Sequence, residues 1–267
     1  MPFATVNGHD IQYVESGALG YQVQEEKLPI VCIHGLGSSQ NYYLPVVPYL
    51  EGHRVVALTT YGAAESKSKG EKLTLEGMAE DVISLMDHLG IPKAIVAGHS
   101  MGGPMALTVA ARHPNRVVGV VAIGPVNPSS IKPEIFKSRI ETVLKDGMEP
   151  LANTIPKAAT GSDSTPLQRA FIRELVLGQD PKSYASHCDA IVNMKDPGFS
   201  SMTTPVLILA GEEDQSAPLA GCQYIHDHLG SKLKELKIYE KVGHWHCVEA
   251  GERVGKDIVA FASKASA

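Results

Sequence analysis

Gly98-His99-Ser100-Met101-Gly102-Gly103 is the stretch from which the rest of this chain is read. It fits G-x-S-x-G, in which a strand runs into a helix through a turn so tight that small residues must flank the serine. Both flanks agree. Lys93-Ala94-Ile95-Val96-Ala97 upstream is strand-like, and Met105 to Ala111 downstream reads as a helix. A turn of this kind lifts the Ser100 hydroxyl above a sheet edge and sets backbone N–H groups and a helix N-terminus beside it. The pattern alone is weak, because glycine and serine are common. Its position between strand and helix gives it content.

Outward from that turn, the pattern alternates. Val6-Asn7-Gly8-His9 predicts a hairpin turn that opens the sheet. Ile30-Val31-Cys32-Ile33 and the run from Arg54 to Thr59 are short apolar strands of the buried kind. Leu75, Met78, Ala79, Val82, Leu85, Met86 and Leu89 follow helical spacing, so a helix is expected over 74–89, ended by Gly90 and Pro92. Further strands are expected at 117–123, 206–210 and 236–239, and helices near 217–229 and 250–263. Strands alternating with helices imply an α/β fold, with a mostly parallel sheet covered by helices on both faces. The segment 128–202 breaks the rhythm, being helical with no buried strand. Its stripes are Phe136, Ile140, Val143 and Leu144, then Phe171, Leu175 and Val176, then Tyr184, Cys188 and Ile191. We expect a helical lid over 128–202, inserted into a core made of 1–127 and 203–267.

The chain has 267 residues, enough for one large domain with a sizeable core. Hydrophobic residues at 43% and charged residues at 20% fit a water-soluble globule. A net charge of −5 without a basic run argues against a nucleic-acid surface and gives no membrane-binding face. No apolar stretch is long enough to span a bilayer, and the first residues lack the charged-then-apolar order of a signal peptide, so the expected location is cytoplasmic. Cys32, Cys188, Cys222 and Cys247 have no paired C-x-x-C spacing, which disfavours a zinc or redox site. Cys32 reads as a small core residue, and Cys247 as the same in preference to a reactive thiol.

A serine hydroxyl is a poor nucleophile near neutral pH. It needs a base within hydrogen-bond reach, and the base needs an orienting acid. Both follow Ser100 in the chain. After the strand Val206 to Ala210 comes Gly211-Glu212-Glu213-Asp214, and after the next strand comes Val242-Gly243-His244-Trp245-His246. Asp214 is the candidate acid, with Glu212 and Glu213 as competitors. His244 is the candidate base, with His246 as its rival, while His99 reads as a packing neighbour of Ser100. An oxyanion at the reacting carbonyl would need two N–H donors. Met101, directly after the serine, is one candidate. Leu36, in the loop His34-Gly35-Leu36-Gly37-Ser38-Ser39, is the other. That loop lacks the lysine of G-x-x-x-x-G-K-[ST], and G-x-G-x-x-G is absent, so nucleotide binding is discounted and neither metal nor organic cofactor is implied.

Together these residues resemble the α/β-hydrolase superfamily over nearly the whole chain. The resemblance implies the α/β-hydrolase fold, with a triad of Ser100, Asp214 and His244, oxyanion donors Leu36 and Met101, and His34 in the loop at the substrate. More narrowly, Phe136-Lys137-Ser138-Arg139-Ile140 resembles the first lid helix of 3-oxoadipate enol-lactonases, where Trp-x-x-Arg-Ile is usual. Pro181 to Ala190 resembles a later lid helix of the same group. That match implies that Phe136 and Arg139 help to bind substrate, against the plainer reading of Arg139 as a surface charge paired with Glu141. There are departures. Phe136 stands where tryptophan is usual, and His-Gly stands in a loop where those enzymes usually lack it. Thr59 to Ser66 has lost the aspartate, arginine and second glycine of D-x-R-G-x-G-x-S, which bears on the shape of the pocket.

The expectation is a serine hydrolase of a small carboxylic ester or lactone, working through an acyl-enzyme, with enol-lactone hydrolysis as one form. Its partner is a small-molecule substrate, with no nucleic acid and no membrane, and no oligomer is specified. A small-molecule receptor on the same scaffold, a serine-dependent carbon–carbon hydrolase and a perhydrolase are the alternatives. An aspartate at position 100 would instead have pointed to epoxide hydrolases or haloalkane dehalogenases. Fold alone does not choose among the serine chemistries.

Overall fold

A computed structural model describes residues 2–50 and 52–266. The strands are β1 (Phe3–Val6), β2 (His9–Glu15), β3 (Ile30–Ile33), β4 (Val55–Leu58), β5 (Ala94–His99), β6 (Val117–Ile123), β7 (Val206–Gly211) and β8 (Lys234–Tyr239). They form one sheet in the order β1-β2-β4-β3-β5-β6-β7-β8. β1 and β2 pair antiparallel through Asn7 and Gly8, both at positive φ, as a two-residue hairpin turn requires. β2 joins β4 antiparallel, and every later pairing is parallel.

Residues alternate between the two faces of the central strands. Val31, Ile33, Val96, Ile208 and Ala210 belong to one apolar cluster, and Ile30, Cys32, Ile95, Ala97, Leu207 and Leu209 to the other. Both faces are covered, so these strands read as continuous apolar runs rather than as an apolar–polar alternation. Helices α1 (Leu75–His88) and α2 (Gly102–Arg112) supply the first cluster, with Cys222 and Ile225 of α7 (Leu219–His228). The last helix (Gly251–Ala265) supplies Val254, Ile258 and Phe261 to the second. The Thr74 hydroxyl caps α1 by accepting the Gly77 N–H at 3.1 Å, and Gly90 at φ 66° turns the chain out of it.

Four helices lie between β6 and β7: α3 (Pro133–Asp146), α4 (Glu149–Ala158), α5 (Pro166–Leu177) and α6 (Pro181–Val192). Each has proline in its first turn, where the missing N–H costs nothing. α5 carries a full capping box between Thr165 and Gln168. The stripe expected on α3 holds for Val143, which is buried, but Leu144 is 56% exposed. The helix packs through a narrower face than its apolar residues suggest. Pro150 and Pro156 masked α4 in the sequence. β8 starts at Lys234, earlier than expected, because an edge strand is only half covered and keeps charged residues.

Two buried histidines brace the early loops, His187 from α6 and His34 from within those loops. The His187 Nε2–H on α6 donates to the Tyr61 carbonyl at 3.0 Å. His34 donates from Nδ1 to the Gly35 carbonyl at 2.7 Å and accepts the Thr60 N–H at Nε2 at 3.0 Å. Burial lowers both rings to a pKa of about 4, against the carbonyl bonds that favour the charged form. Folding therefore holds these rings neutral where the unfolded chain takes up protons. Between pH 6.5 and about 4 the unfolded state binds more protons than the folded one, so stability falls as pH falls through that window. Each ring accounts for about 2–3 kcal/mol of that fall. Urea unfolding across this range should show the decline. His187→Gln, which keeps a donor for Tyr61, should make it shallower, and an identical slope in the variant would contradict the assignment.

Candidate active site

Ser100 sits between β5 and α2 at φ 54°, a left-handed conformation rare for a residue with a side chain. Crowding explains the flanking glycines. A Cβ on Gly98 would lie 1.9 Å from the Gly102 carbonyl oxygen, and a Cβ on Gly102 would lie 2.5 Å from the Ile33 carbonyl oxygen. The turn is tied down by its own backbone. The Ser100 N–H donates to the Ile123 carbonyl at 2.9 Å, and the Ser100 carbonyl accepts the Gly103 N–H at 3.0 Å and the Val126 N–H at 3.3 Å.

The structure brings Ser100, His244 and Asp214 together. Ser100 Oγ and His244 Nε2 are 2.9 Å apart, and His244 Nδ1 and Asp214 Oδ2 are 2.8 Å apart. The other oxygen, Asp214 Oδ1, accepts the Ser216 and Ala217 N–H groups, each at 2.8 Å. Burial pushes the Asp214 carboxyl up. The positive field and hydrogen bond of His244, the His246 ring and the Ala217 N–H together outweigh it and hold the group below its ordinary value, as a carboxylate. The competing acids are occupied elsewhere. Glu213 accepts the Ser162 N–H at 2.6 Å and its hydroxyl at 2.8 Å, and Glu212 accepts the Lys241 N–H at 3.2 Å.

His99 and His246 share a task that no local pattern in the sequence reveals. His99 donates from Nε2 to the His244 carbonyl at 2.8 Å, and His246 donates from Nδ1 to the same carbonyl at 2.9 Å. Burial, followed by the neighbouring His244 charge, drives His99 well below its ordinary pKa, and burial lowers His246 to about 4. Two neutral rings therefore clamp the backbone that carries the His244 imidazole. The opposite side of that residue is held from the inserted segment, where the Ala159 carbonyl accepts the His244 N–H at 2.8 Å.

The early loop runs close against the serine: a Cβ on Gly35 would lie 2.7 Å from Ser100 Cβ. Leu36 lines a cavity of about 380 Å³ above Ser100 and His244, and Met101 is buried where α2 begins. Phe136 and Arg139 of α3 line the same cavity, and the Arg139 guanidinium lies 5.7 Å from the Phe136 ring centroid. The Arg139–Glu141 pairing is absent: Arg139 forms no ion pair among the described residues. His34, expected at the substrate, does not line the cavity. It is buried, and its two ring nitrogens are committed to Gly35 and Thr60, so it supports the loop rather than facing a ligand. Cys247 is buried and burial pushes its thiol far up, which leaves it a packing residue.

Other residues at the site went unread in the sequence. Lys132, Asn127, Gln215 and Trp245 also line the cavity. Asn127 had a local signal, since Asn-Pro after a strand marks a turn. Glu249, on the short helix His246–Glu249, gathers three backbone donors: Gly161 at 2.6 Å, Gly243 at 3.0 Å and Trp245 at 2.8 Å. It thus joins the inserted segment to the loop of His244. Burial raises the Glu249 carboxyl above its ordinary value against those three bonds. Glu249→Gln would turn an NH₂ group toward backbone N–H donors, with a cost of about 1–3 kcal/mol. A lowered urea midpoint is expected, and a variant as stable as the parent would contradict the joining role.

Comparisons with known proteins agree with this architecture. The family described as alpha/beta hydrolase fold matches residues 29–161. The 3-oxoadipate enol-lactonase 2 of Acinetobacter baylyi is 26% identical over 82% of this chain and 84% of its own length. A non-heme haloperoxidase of Rhodococcus erythropolis is 26% identical over 98% of this chain and 99% of its own. The solved enol-lactonase of Burkholderia xenovorans superposes with a TM-score of 0.89 at 26% identity, covering 98% of this chain and all of that one (100%). Among the described residues no helix is long and apolar enough to cross a membrane. With its eight-stranded, mostly parallel sheet and the serine turn at the end of β5, the chain belongs to the α/β-hydrolase superfamily and resembles the 3-oxoadipate enol-lactonases within it.

Proposed function

We propose that this protein is a serine hydrolase of small carboxylic esters or lactones. The observation that carries the reading is the unbroken hydrogen-bonded line Ser100–His244–Asp214 at the floor of a mainly apolar cavity. Ser100 Oγ attacks the acyl carbon while its proton passes to His244 Nε2. Asp214 accepts the Nδ1–H, keeps the ring in the productive tautomer and stabilises the imidazolium. The Leu36 and Met101 N–H groups receive the oxyanion. The carbon–oxygen bond breaks as His244 returns its proton to the leaving oxygen. A water then gives its proton to His244 and its oxygen to the acyl carbon, releasing the acid and restoring Ser100. In a lactone the leaving oxygen stays tethered, so one ring-opened product forms.

In this reading residues 128–202 act as a lid on a core of 1–127 and 203–267, with Phe136 and Arg139 reaching from α3 to the substrate. A guanidinium in an apolar wall, ion-paired with no carboxylate, favours a substrate that carries a negative charge away from the scissile bond. The likeness to enol-lactonases supports the lactone form.

Ser100→Ala should lower turnover of aryl esters and simple lactones by about 10⁴-fold or more while the melting temperature is kept. Near-parental turnover would reject the serine mechanism. Arg139→Gln should raise KM for a carboxylate-bearing ester by about tenfold and leave its neutral methyl ester little changed. Equal effects on both esters would remove Arg139 from substrate recognition.

A further inference from the structure

The steps above leave several polar groups of the cavity wall unused, Lys132, Gln215, Trp245 and Asn127 among them, and the backbone orients the Asn127 amide. Asn127 stands just past β6, lines the cavity and is only 6% exposed. Its Oδ1 accepts the Ser129 N–H at 3.0 Å, capping a single 3₁₀ turn over Pro128–Ser130. Only the oxygen end of an amide can meet an N–H, so the chemistry of the contact fixes which end is which. The planar group then turns its NH₂ the other way, and Nδ2 has no acceptor among the described residues. The surrounding backbone is held as well. The Asn127 carbonyl accepts the Ser130 hydroxyl at 3.3 Å, and the preceding N–H, of Val126, donates to the Ser100 carbonyl at 3.3 Å. Asn127 is thus a donor oriented before any ligand arrives, set in a wall that includes Val126, Ile131 and Phe136.

We propose that Asn127 is a specificity-determining residue, whose Nδ2 donates a hydrogen bond to an oxo oxygen on the acyl chain, beyond the scissile group. This rests on the serine-hydrolase reading. A substrate oxygen there satisfies a mostly buried donor. A plain hydrocarbon chain of the same length covers the donor without pairing it, and is rejected for that reason. Fixing the amide through Ser129 means that little ordering is needed when substrate binds.

The test compares matched p-nitrophenyl esters: 4-oxopentanoate against pentanoate, and 5-oxohexanoate against hexanoate. Asn127→Asp is the variant of choice, because it keeps an oxygen for the Ser129 N–H and removes the donor. In the parent protein at least one oxo ester should be favoured in kcat/KM by about tenfold, the scale of one buried hydrogen bond. Asn127→Asp should abolish that ratio with the melting temperature retained. A merely structural role would lower both members of a pair alike and leave the ratio intact. A parent protein without preference in either pair, or a preference that survives Asn127→Asp, overturns the proposal. The free acids give the same comparison without turnover: 4-oxopentanoate or 5-oxohexanoate should raise the melting temperature of the parent more than its deoxo partner, and equal shifts overturn the proposal too. The underlying mechanism fails separately, through ester turnover that survives Ser100→Ala, and in that case the Asn127 ratio can still be measured.

Discussion

The backbone at Ser100 has almost no room around it, and the site depends on that constraint. β5 and α2 meet so closely that Gly98 and Gly102 tolerate no Cβ, and Ser100 itself is held at φ 54°. Nothing about this conformation is favourable for an isolated serine. It persists because the parallel sheet, buried on both faces, fixes the end of β5, and because α2 packs back along that sheet. What the strain yields is placement. The hydroxyl emerges at the carboxyl edge of the sheet, where the loops after β3, β7 and β8 converge with Leu36, Asp214 and His244.

Electrostatics completes what sterics begins. Four of the buried histidines besides His244, namely His34, His99, His187 and His246, are kept neutral, chiefly by burial. Each uses a ring N–H to bond a backbone carbonyl. They serve as rigid, uncharged braces. Charged rings around His244 would oppose the imidazolium that the proposed mechanism creates, whereas neutral rings on its carbonyl hold it still without that cost. Glu249 and Ala159 extend the bracing to the segment between β6 and β7, so the His244 loop and that segment form one hydrogen-bonded unit.

Much of this was legible in the sequence because it follows local rules. G-x-S-x-G between a strand and a helix located Ser100, and acidic and histidine residues in loops after later strands located Asp214 and His244. The apolar runs at 30–33 and 206–210 revealed a sheet covered on both sides. What stayed hidden depends on distant pairing. His99 and His246 looked like a packing neighbour and a rival base, since nothing in the sequence shows that both meet one carbonyl. The sequence of its loop points His34 toward the substrate, but Thr60 claims its ring. Leu144 continued a helical stripe whose packed face ends at Val143. α4 was obscured by its own prolines, and Asn127 has meaning only once Ser129 fixes which end of its amide faces the cavity.

In the proposed mechanism Ser100 becomes acylated. The direct measurement is to quench the protein in acid during turnover of a slowly deacylated aryl ester, and to locate the added acyl mass by peptide mass spectrometry. An acyl group is expected on Ser100 itself, in the peptide that spans the turn between β5 and α2. Acyl mass on another residue, or steady hydrolysis with no acyl group on Ser100 under conditions where deacylation is the slow step, would contradict the mechanism.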